Sequence, residues 1–95
     1  NEKIAFIMSQ AYDGIRKRDL SPTDYTRFWL FSMMGFRRVE NIYLQYKNGF
    51  LDEDAFDRIG MAFYQTHLVR EIWDERRKAF DPEFAAFFEK LRDNE

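Results

Sequence analysis

The sequence predicts an all-α fold: a compact bundle of five helices around one long central helix at about residues 22–48. Apolar residues recur at spacings of three and four rather than two, which is the periodicity of amphipathic helices. The 95 residues are 45% hydrophobic and include only two prolines and four glycines, so the chain has enough apolar surface to fold and little to interrupt its helices. We therefore expect one helical domain over residues 1–95, with an aromatic core because 19% of the residues are Phe, Tyr or Trp.

The first helix is predicted from about Glu2 to Tyr12. Gly14 ends it, because glycine readily takes the left-handed backbone conformation that follows many helix ends. The basic run at 16–18 comes next, where positive charge suits the negative end of the helix. We interpret this run as a solvated face near a helix terminus, and the alternative is a patch that binds phosphate or lipid headgroups.

The second helix is the long element of the predicted fold. Ser21 is its expected N-cap and Pro22 its first residue, and no helix breaker follows until Gly49. The residues expected to face the bundle alternate spacings of four and three along the helix. They are Tyr25, Trp29, Ser32, Phe36, Val39, Tyr43 and Tyr46.

The first half of this helix also carries a candidate interface. Leu30, Phe31 and Met34 project from the side opposite the inward face, and residues 28–36 are apolar nearly all round. A small domain has limited capacity to cover such a helix on every side. Either the other helices cover this face, or it binds a protein partner or a second copy of the chain.

Three further helices are predicted after the turn at Gly49. Asp52 begins the third, the apolar periodicity slips at 66–68 and indicates a break, and the fourth continues to about Ala79. Asp81 and a proline in the first turn begin the fifth. Its aromatic residues are expected in the core, and the alternative is an aromatic groove that binds an acyl chain or a partner helix. These residues are Phe80, Phe84, Phe87 and Phe88.

A polar belt interrupts the apolar middle of the long helix, and it consists of Arg37, Arg38, Glu40 and Asn41. We expect these residues to meet charged side chains of the fourth helix, chiefly Glu75 and Arg76. One interpretation is an ion-pair network that fixes how the helices cross, because part-buried charges need partners. The alternative is a polar pocket in which an arginine holds a carboxylate or phosphate of a small ligand beside Asn41.

The composition argues against several classes of function. One histidine, His67, and no cysteine leave too few ligands for common zinc and iron sites, so we expect neither a metal nor a cofactor. No nucleophile, base and orienting acid can be assembled and no glycine-rich phosphate loop is present, so we predict that the protein is not an enzyme. A net charge of -2 argues against nucleic acid as a partner.

Five short motifs occur in order along the chain. They are Arg27-Phe28, FRRVENIY at 36–43, GFLDE at 49–53, WDERR at 73–77 and PEF at 82–84. Together they resemble the soluble helical part of a widespread set of uncharacterised bacterial proteins that carry a single transmembrane helix near the N-terminus. The resemblance covers most of the chain. It implies a membrane-anchored helical domain with no assigned activity. Because the sequence lacks an initiator Met and begins inside a predicted helix, we expect a soluble, cytoplasmic domain excised from a longer protein, which touches the membrane only through a missing N-terminal segment.

The leading hypothesis from the sequence is a non-catalytic interaction module that self-associates or binds a protein partner through Leu30, Phe31 and Met34. The alternative is a helical bundle that binds a small molecule or lipid. That bundle would use the polar belt around Arg38 and Asn41, or the aromatic groove of the fifth helix.

Overall fold

The chain is helical along most of its length. A computed structural model describes residues 1–94, and Glu95 lies outside the described residues. The α-helices are α1 (Glu2–Tyr12), α2 (Pro22–Lys47), α3 (Ala62–Gln65), α4 (His67–Arg76) and α5 (Pro82–Asp93). Three 3₁₀ segments join them, at Lys17–Asp19, Glu53–Arg58 and Arg77–Ala79. Residues 1–94 contain no β-strand, so the predicted all-α fold class is confirmed.

The long helix α2 forms as a single unbroken element, as predicted. The Ser21 hydroxyl accepts a hydrogen bond from the Asp24 backbone N–H at 3.1 Å, and Pro22 occupies the first turn. Asn48 ends the helix, and Gly49 follows with a φ of +81°. Its 26 residues span about 39 Å at 1.5 Å each, against a longest molecular dimension of 42 Å. The other elements are therefore assembled along α2.

The inward face of α2 lies at the centre of an aromatic core. Its buried residues are Tyr25, Phe28, Ser32, Phe36, Val39 and Tyr43. Phe28 is buried in place of the predicted Trp29, which is only half-buried. Four aromatic rings surround Phe36 with centroids 5.0 to 6.1 Å away, and they belong to Tyr64, Trp73, Phe80 and Phe88. Rings at such distances attract one another beyond simple burial.

The predicted third helix is the element that differs most from expectation. Residues Glu53–Arg58 form a 3₁₀ segment, residues 59–61 are not helical, and only Ala62–Gln65 is α-helical. Asp52 precedes the 3₁₀ segment but its side chain makes no capping hydrogen bond. Gly60 then disfavours a continuous helix because glycine loses more backbone entropy than other residues. The prediction that helical structure begins at Asp52 is thus correct in position, and the prediction of one continuous third helix is wrong.

The remaining boundaries follow local signals. Gly14 ends α1 with a φ of +95°, as expected. Thr66 has an extended backbone that separates α3 from α4, and its hydroxyl accepts a hydrogen bond from the Val69 N–H at 3.3 Å, so the predicted break is confirmed. The Asp81 carboxylate accepts hydrogen bonds from the first turn of α5. No helix within residues 1–94 combines the length and apolar character that crossing a bilayer requires.

Candidate functional site

A groove opens between α1, α2 and the segment 60–64. Its volume is about 540 Å³, and it is lined by Met8, Tyr12, Phe31, Met34, Gly35, Arg38, Gly60, Phe63 and Tyr64. We call it the apolar groove, because Arg38 is the only lining residue with a formal charge at neutral pH. A second depression of about 590 Å³ runs along α1 and shares Met8, Tyr12 and Phe31 with it. The two together form one apolar surface.

The large side chains on this surface are unusually open to solvent. Met34 is 71% exposed and Tyr12 54%, and Leu30 beside them on α2 is 51% exposed. Phe31 is half-buried, with its ring centroid 6.0 Å from those of Phe28 and Phe63. Of the three residues of the candidate interface, Leu30 and Met34 thus face solvent, whereas Phe31 forms a wall of the apolar groove.

The floor of the apolar groove depends on a close approach between Gly35 and Tyr64. The Tyr64 hydroxyl donates a hydrogen bond to the Gly35 carbonyl oxygen at 3.1 Å. A Cβ atom at position 35 would lie 3.0 Å from that hydroxyl oxygen, closer than side chains normally pack. Burial raises the pKa of Tyr64, because the charged phenolate is unfavourable away from water. The absence of a side chain at Gly35 therefore lets Tyr64 lie against α2, and no local pattern in the sequence indicates this pairing.

The polar belt of α2 divides among different surroundings. Arg37 forms an ion pair with Glu40 at 3.0 Å, and its guanidinium lies 4.2 Å from the centre of the Phe80 ring. Asn41 is exposed. Arg38 alone reaches the apolar groove, at its edge. The belt therefore does not form one polar pocket: one member faces the apolar groove and two pair with each other.

Glu75 and Arg76 belong to a separate cluster at the start of α2. Lys17 binds the Glu75 carboxylate at 2.7 Å and holds the pKa of Glu75 below its usual range. The Arg76 guanidinium lies 3.7 Å from the centre of the Trp29 ring. The six residues expected to form one network are thus split: four lie in the middle of α2, whereas Glu75 and Arg76 contact Lys17 and Trp29 near its start.

A mixed-charge cleft of about 580 Å³ adjoins this cluster and includes Lys17, Arg18, Glu71 and Glu75 in its lining. The basic run at 16–18 is tied to α4 here, since the Lys17 backbone N–H donates to the Glu71 carboxylate at 3.3 Å. The Tyr25 hydroxyl is buried nearby and has no hydrogen-bond partner among residues 1–94. Burial, together with the neighbouring Glu75 carboxylate, raises the pKa of Tyr25. The two carboxylates of the cleft thus already have partners within the chain.

Sequence reasoning missed the polar contacts that hold α5 in place. The indole N–H of Trp73 and the Nε–H of Arg77 both donate to Glu89, at 2.7 and 2.6 Å. Tyr43 and Lys47 at the end of α2 both donate to the Glu83 carboxylate. Nothing local in the sequence marks these contacts, since each joins two separate elements.

The phenylalanines of the predicted aromatic groove are mostly internal. Phe80, Phe84 and Phe88 are buried, and Phe87 is half-buried against Tyr43 and Phe56. Their rings pack into the core that surrounds Phe36. None of these four phenylalanines lines the apolar groove.

No protein family matches this chain, no curated protein is significantly similar to it, and no solved structure matches its fold. The resemblance to membrane-anchored bacterial proteins stays a prediction, and so does the membrane anchor it implies. Among residues 1–94, no cluster of three or more His, Asp or Glu side chains has the geometry to hold a metal ion.

Proposed function

We propose that this chain is a non-catalytic helical module that binds a partner protein in the apolar groove. The observation that carries the proposal is the continuous exposed apolar surface that α1 and α2 form at the apolar groove. Contiguous apolar surface of this kind on a small domain is typical of a binding site.

The shape of the surface suits a helical partner. Met8 and Tyr12 line it from α1, and Phe31 and Met34 line it from α2. An amphipathic helix lays its apolar face into such a groove through side chains spaced by three and four residues. Burying one large apolar side chain contributes roughly 1.5–3 kcal/mol when burial is complete, so a few half-exposed side chains supply a useful share of the binding energy.

The chemistry of the lining favours binding over catalysis. None of its residues is an aspartate, glutamate, histidine, serine or cysteine. Its polar groups are the Tyr12 and Tyr64 hydroxyls and the Arg38 guanidinium. Neither a nucleophile with an adjacent base nor a general acid–base pair can be formed from these groups.

The second candidate function is binding of a long-chain carboxylate. The placement of Arg38 favours it, since a guanidinium at the edge of an apolar groove binds a carboxylate while the groove holds the chain. Titration with dodecanoate, followed by NMR, tests this function. Chemical-shift changes confined to the apolar groove and lost in Arg38→Gln support it, and saturation without any shift at the apolar groove contradicts it.

The test of the proposed function is NMR mapping with an isotope-labelled chain. An amphipathic helical peptide with a leucine stripe and neutral flanks is added, and the backbone amides of Tyr12, Phe31, Met34, Gly35 and Gly60 are expected to shift. Met34→Glu places a charge in the apolar groove and is expected to abolish these shifts.

Leu44→Glu is the matched control. Leu44 is 50% exposed on the second half of α2 and does not line the apolar groove. This variant is expected to bind the peptide like the original chain. Shifts that spread over the whole surface, or that survive Met34→Glu, contradict the proposal. Sedimentation velocity over a range of concentrations determines in parallel whether the chain associates with itself.

A further inference from the structure

We propose that the partner of the apolar groove is an acidic amphipathic helix, which lies along α2 with carboxylates against Arg27 and Arg38. The proposal rests on the proposed function and adds the chemical class of the partner. It is argued from the charges on the outer face of α2.

The outward-facing positions of α2 carry positive charge at both ends of an apolar centre. They are Thr23, Arg27, Leu30, Met34, Arg38 and Asn41, and each of these residues is exposed. Arg38 makes no ion pair among residues 1–94, and the only carboxylate near Arg27 is that of Asp24, 3.9 Å away.

The two carboxylates of α2 do not balance this face. Asp24 binds Lys3 of α1 at 3.2 Å, and Glu40 binds Arg37 at 3.0 Å. Both acids are thus occupied within the chain. Asp13, on the depression along α1, is the one acidic residue that lines the apolar surface. The strip of α2 therefore attracts a partner of negative charge, although the whole chain has a net charge of -2.

The spacing of the two arginines fixes the pattern that the partner must carry. Arg27 and Arg38 are eleven positions apart, which is three helical turns and about 16 Å along the axis. A helix lying along α2 meets both when it carries acidic residues about eleven positions apart, with apolar residues between them against Leu30 and Met34.

A second copy of the chain is a poor occupant of this face. In an antiparallel pair that sets Met34 of one protomer against Phe31 of its partner, Arg27 faces Arg38 of the partner subunit. In a parallel two-fold pair each arginine faces its own equivalent. Like charges placed opposite each other weaken association, so either arrangement is disfavoured.

A single acyl chain also covers too little of the surface. Leu30 lies outside the apolar groove, where it borders a shallow depression with Pro22, Thr26 and Arg27. A chain held in the apolar groove with its carboxylate on Arg38 leaves Leu30 and Arg27 untouched. A helix of about 18 residues, roughly 27 Å long, spans both.

The experiment is a selection from a displayed library of amphipathic helices of about 18 residues, a length that spans the strip. The library keeps a leucine stripe and varies the flanking positions among Glu, Gln and Lys. We expect enrichment of sequences with Glu about eleven positions apart. A selected peptide is expected to bind Arg38→Glu about tenfold or more weakly, and to lose affinity as salt rises.

Arg18→Glu is the control for charge reversal, since Arg18 lines the separate mixed-charge cleft. It is expected to change peptide affinity by less than about twofold, and Arg27→Glu with Arg38→Glu together are expected to switch the preference to Lys-bearing peptides.

Enrichment of helices without acidic preference overturns the inference but leaves the proposed function standing. Failure to enrich any helix, or binding unaffected by Met34→Glu, overturns both. Met34-dependent dimers, or competition by dodecanoate at the same site, overturn the acidic-helix inference in favour of those occupants.

Discussion

Trp73 donates its indole N–H to Glu89 at 2.7 Å, and this bond fastens α4 to α5 at the edge of the aromatic core. The Trp73 residue is only 1% exposed, so water has little access to its N–H group if the bond is lost. Arg77 donates to the same carboxylate, which places one charged acceptor between two donors. Glu89 therefore holds α5 in place, because its carboxylate accepts hydrogen bonds from both Trp73 and Arg77.

Glu89→Ala is expected to destabilise the fold by about 2 kcal/mol, because it leaves a buried indole N–H without an acceptor. Glu89→Gln keeps an acceptor and is expected to cost less. Urea denaturation followed by tryptophan fluorescence measures both. Lys90→Ala on the exposed side of α5 is the control, with an expected change within about 0.5 kcal/mol. Equal stabilities of Glu89→Ala and Lys90→Ala would contradict this role.

Stability is expected to fall in acid. The pKa values of Glu75 and Glu89 are lowered from 4.5, first by hydrogen bonds from Lys17 and Arg77, and that of Asp93 is lowered from 3.8 by Arg92. The unfolded chain binds more protons than the folded one below about pH 5, so stability rises with pH there. The stability that these carboxylates contribute is fully present above their pKa values in the unfolded chain. It is lost as the pH falls through their lower pKa values in the folded chain.

The measurement is the urea midpoint at a series of pH values from neutral to about pH 3, which covers these unfolded pKa values. Glu89→Gln is expected to make the urea midpoint less dependent on pH in acid, because it removes one carboxyl group whose pKa differs between the folded and unfolded chains. A midpoint that stays constant through this range would show that these carboxylates contribute nothing to folding.

Gly35 and Tyr64 are expected to couple in a double-mutant cycle. Alanine normally stabilises a helix by roughly 0.5–1 kcal/mol relative to glycine. In this chain the new Cβ meets the Tyr64 hydroxyl at 3.0 Å, and Tyr64 is held by the rings of Phe36 and Phe88. Gly35→Ala is therefore expected to destabilise the fold by about 1 kcal/mol.

The same substitution in a Tyr64→Phe background is expected to be neutral or stabilising. Removal of the hydroxyl leaves the nearest ring atom 3.4 Å away, which is ordinary contact. Thermal unfolding of the four proteins gives the coupling energy, expected at about 1 kcal/mol or more. Additive effects would show that the close approach at position 35 imposes no constraint.

Tyr25 and Tyr64 are expected to respond differently to loss of the hydroxyl. Tyr64→Phe removes a hydrogen bond to a backbone carbonyl and is expected to cost about 1 kcal/mol. The Tyr25 hydroxyl is buried without a partner, so Tyr25→Phe is expected to be neutral or to stabilise by up to about 1 kcal/mol. Chemical denaturation compares the two. A loss in Tyr25→Phe as large as that in Tyr64→Phe would mean that Tyr25 bonds to Glu75.

The elements with strong local signals were predictable. Ser21 and Pro22 begin α2, Gly14 ends α1 and Asp81 caps α5, and each of these depends on residues within one helical turn. The third helix was less predictable, because Phe56 and Ile59 fit a helical stripe although the chain around Gly60 is not helical. Apolar spacing by three is satisfied by a 3₁₀ segment as well as by an α-helix.

The candidate site was only partly predictable. Leu30, Phe31 and Met34 were found because they interrupt the usual division between an apolar and a polar helix face. Their partners across the apolar groove were not found, since Met8 and Phe63 lie far from α2 in sequence. The charged residues were recognised individually, but partners such as Trp29 for Arg76 depend on how two helices cross.

The walls of the apolar groove differ in stiffness. One is α2, whose 26 residues form a continuous ladder of backbone hydrogen bonds. Another is built on α3, which is only four residues long and lies between Met61 and Thr66. Short helices gain little cooperative protection, so amides at 60–66 are expected to exchange with solvent sooner than those of α2. We therefore expect the segment 60–66 to shift when bound partners differ in bulk, while α2 keeps its position.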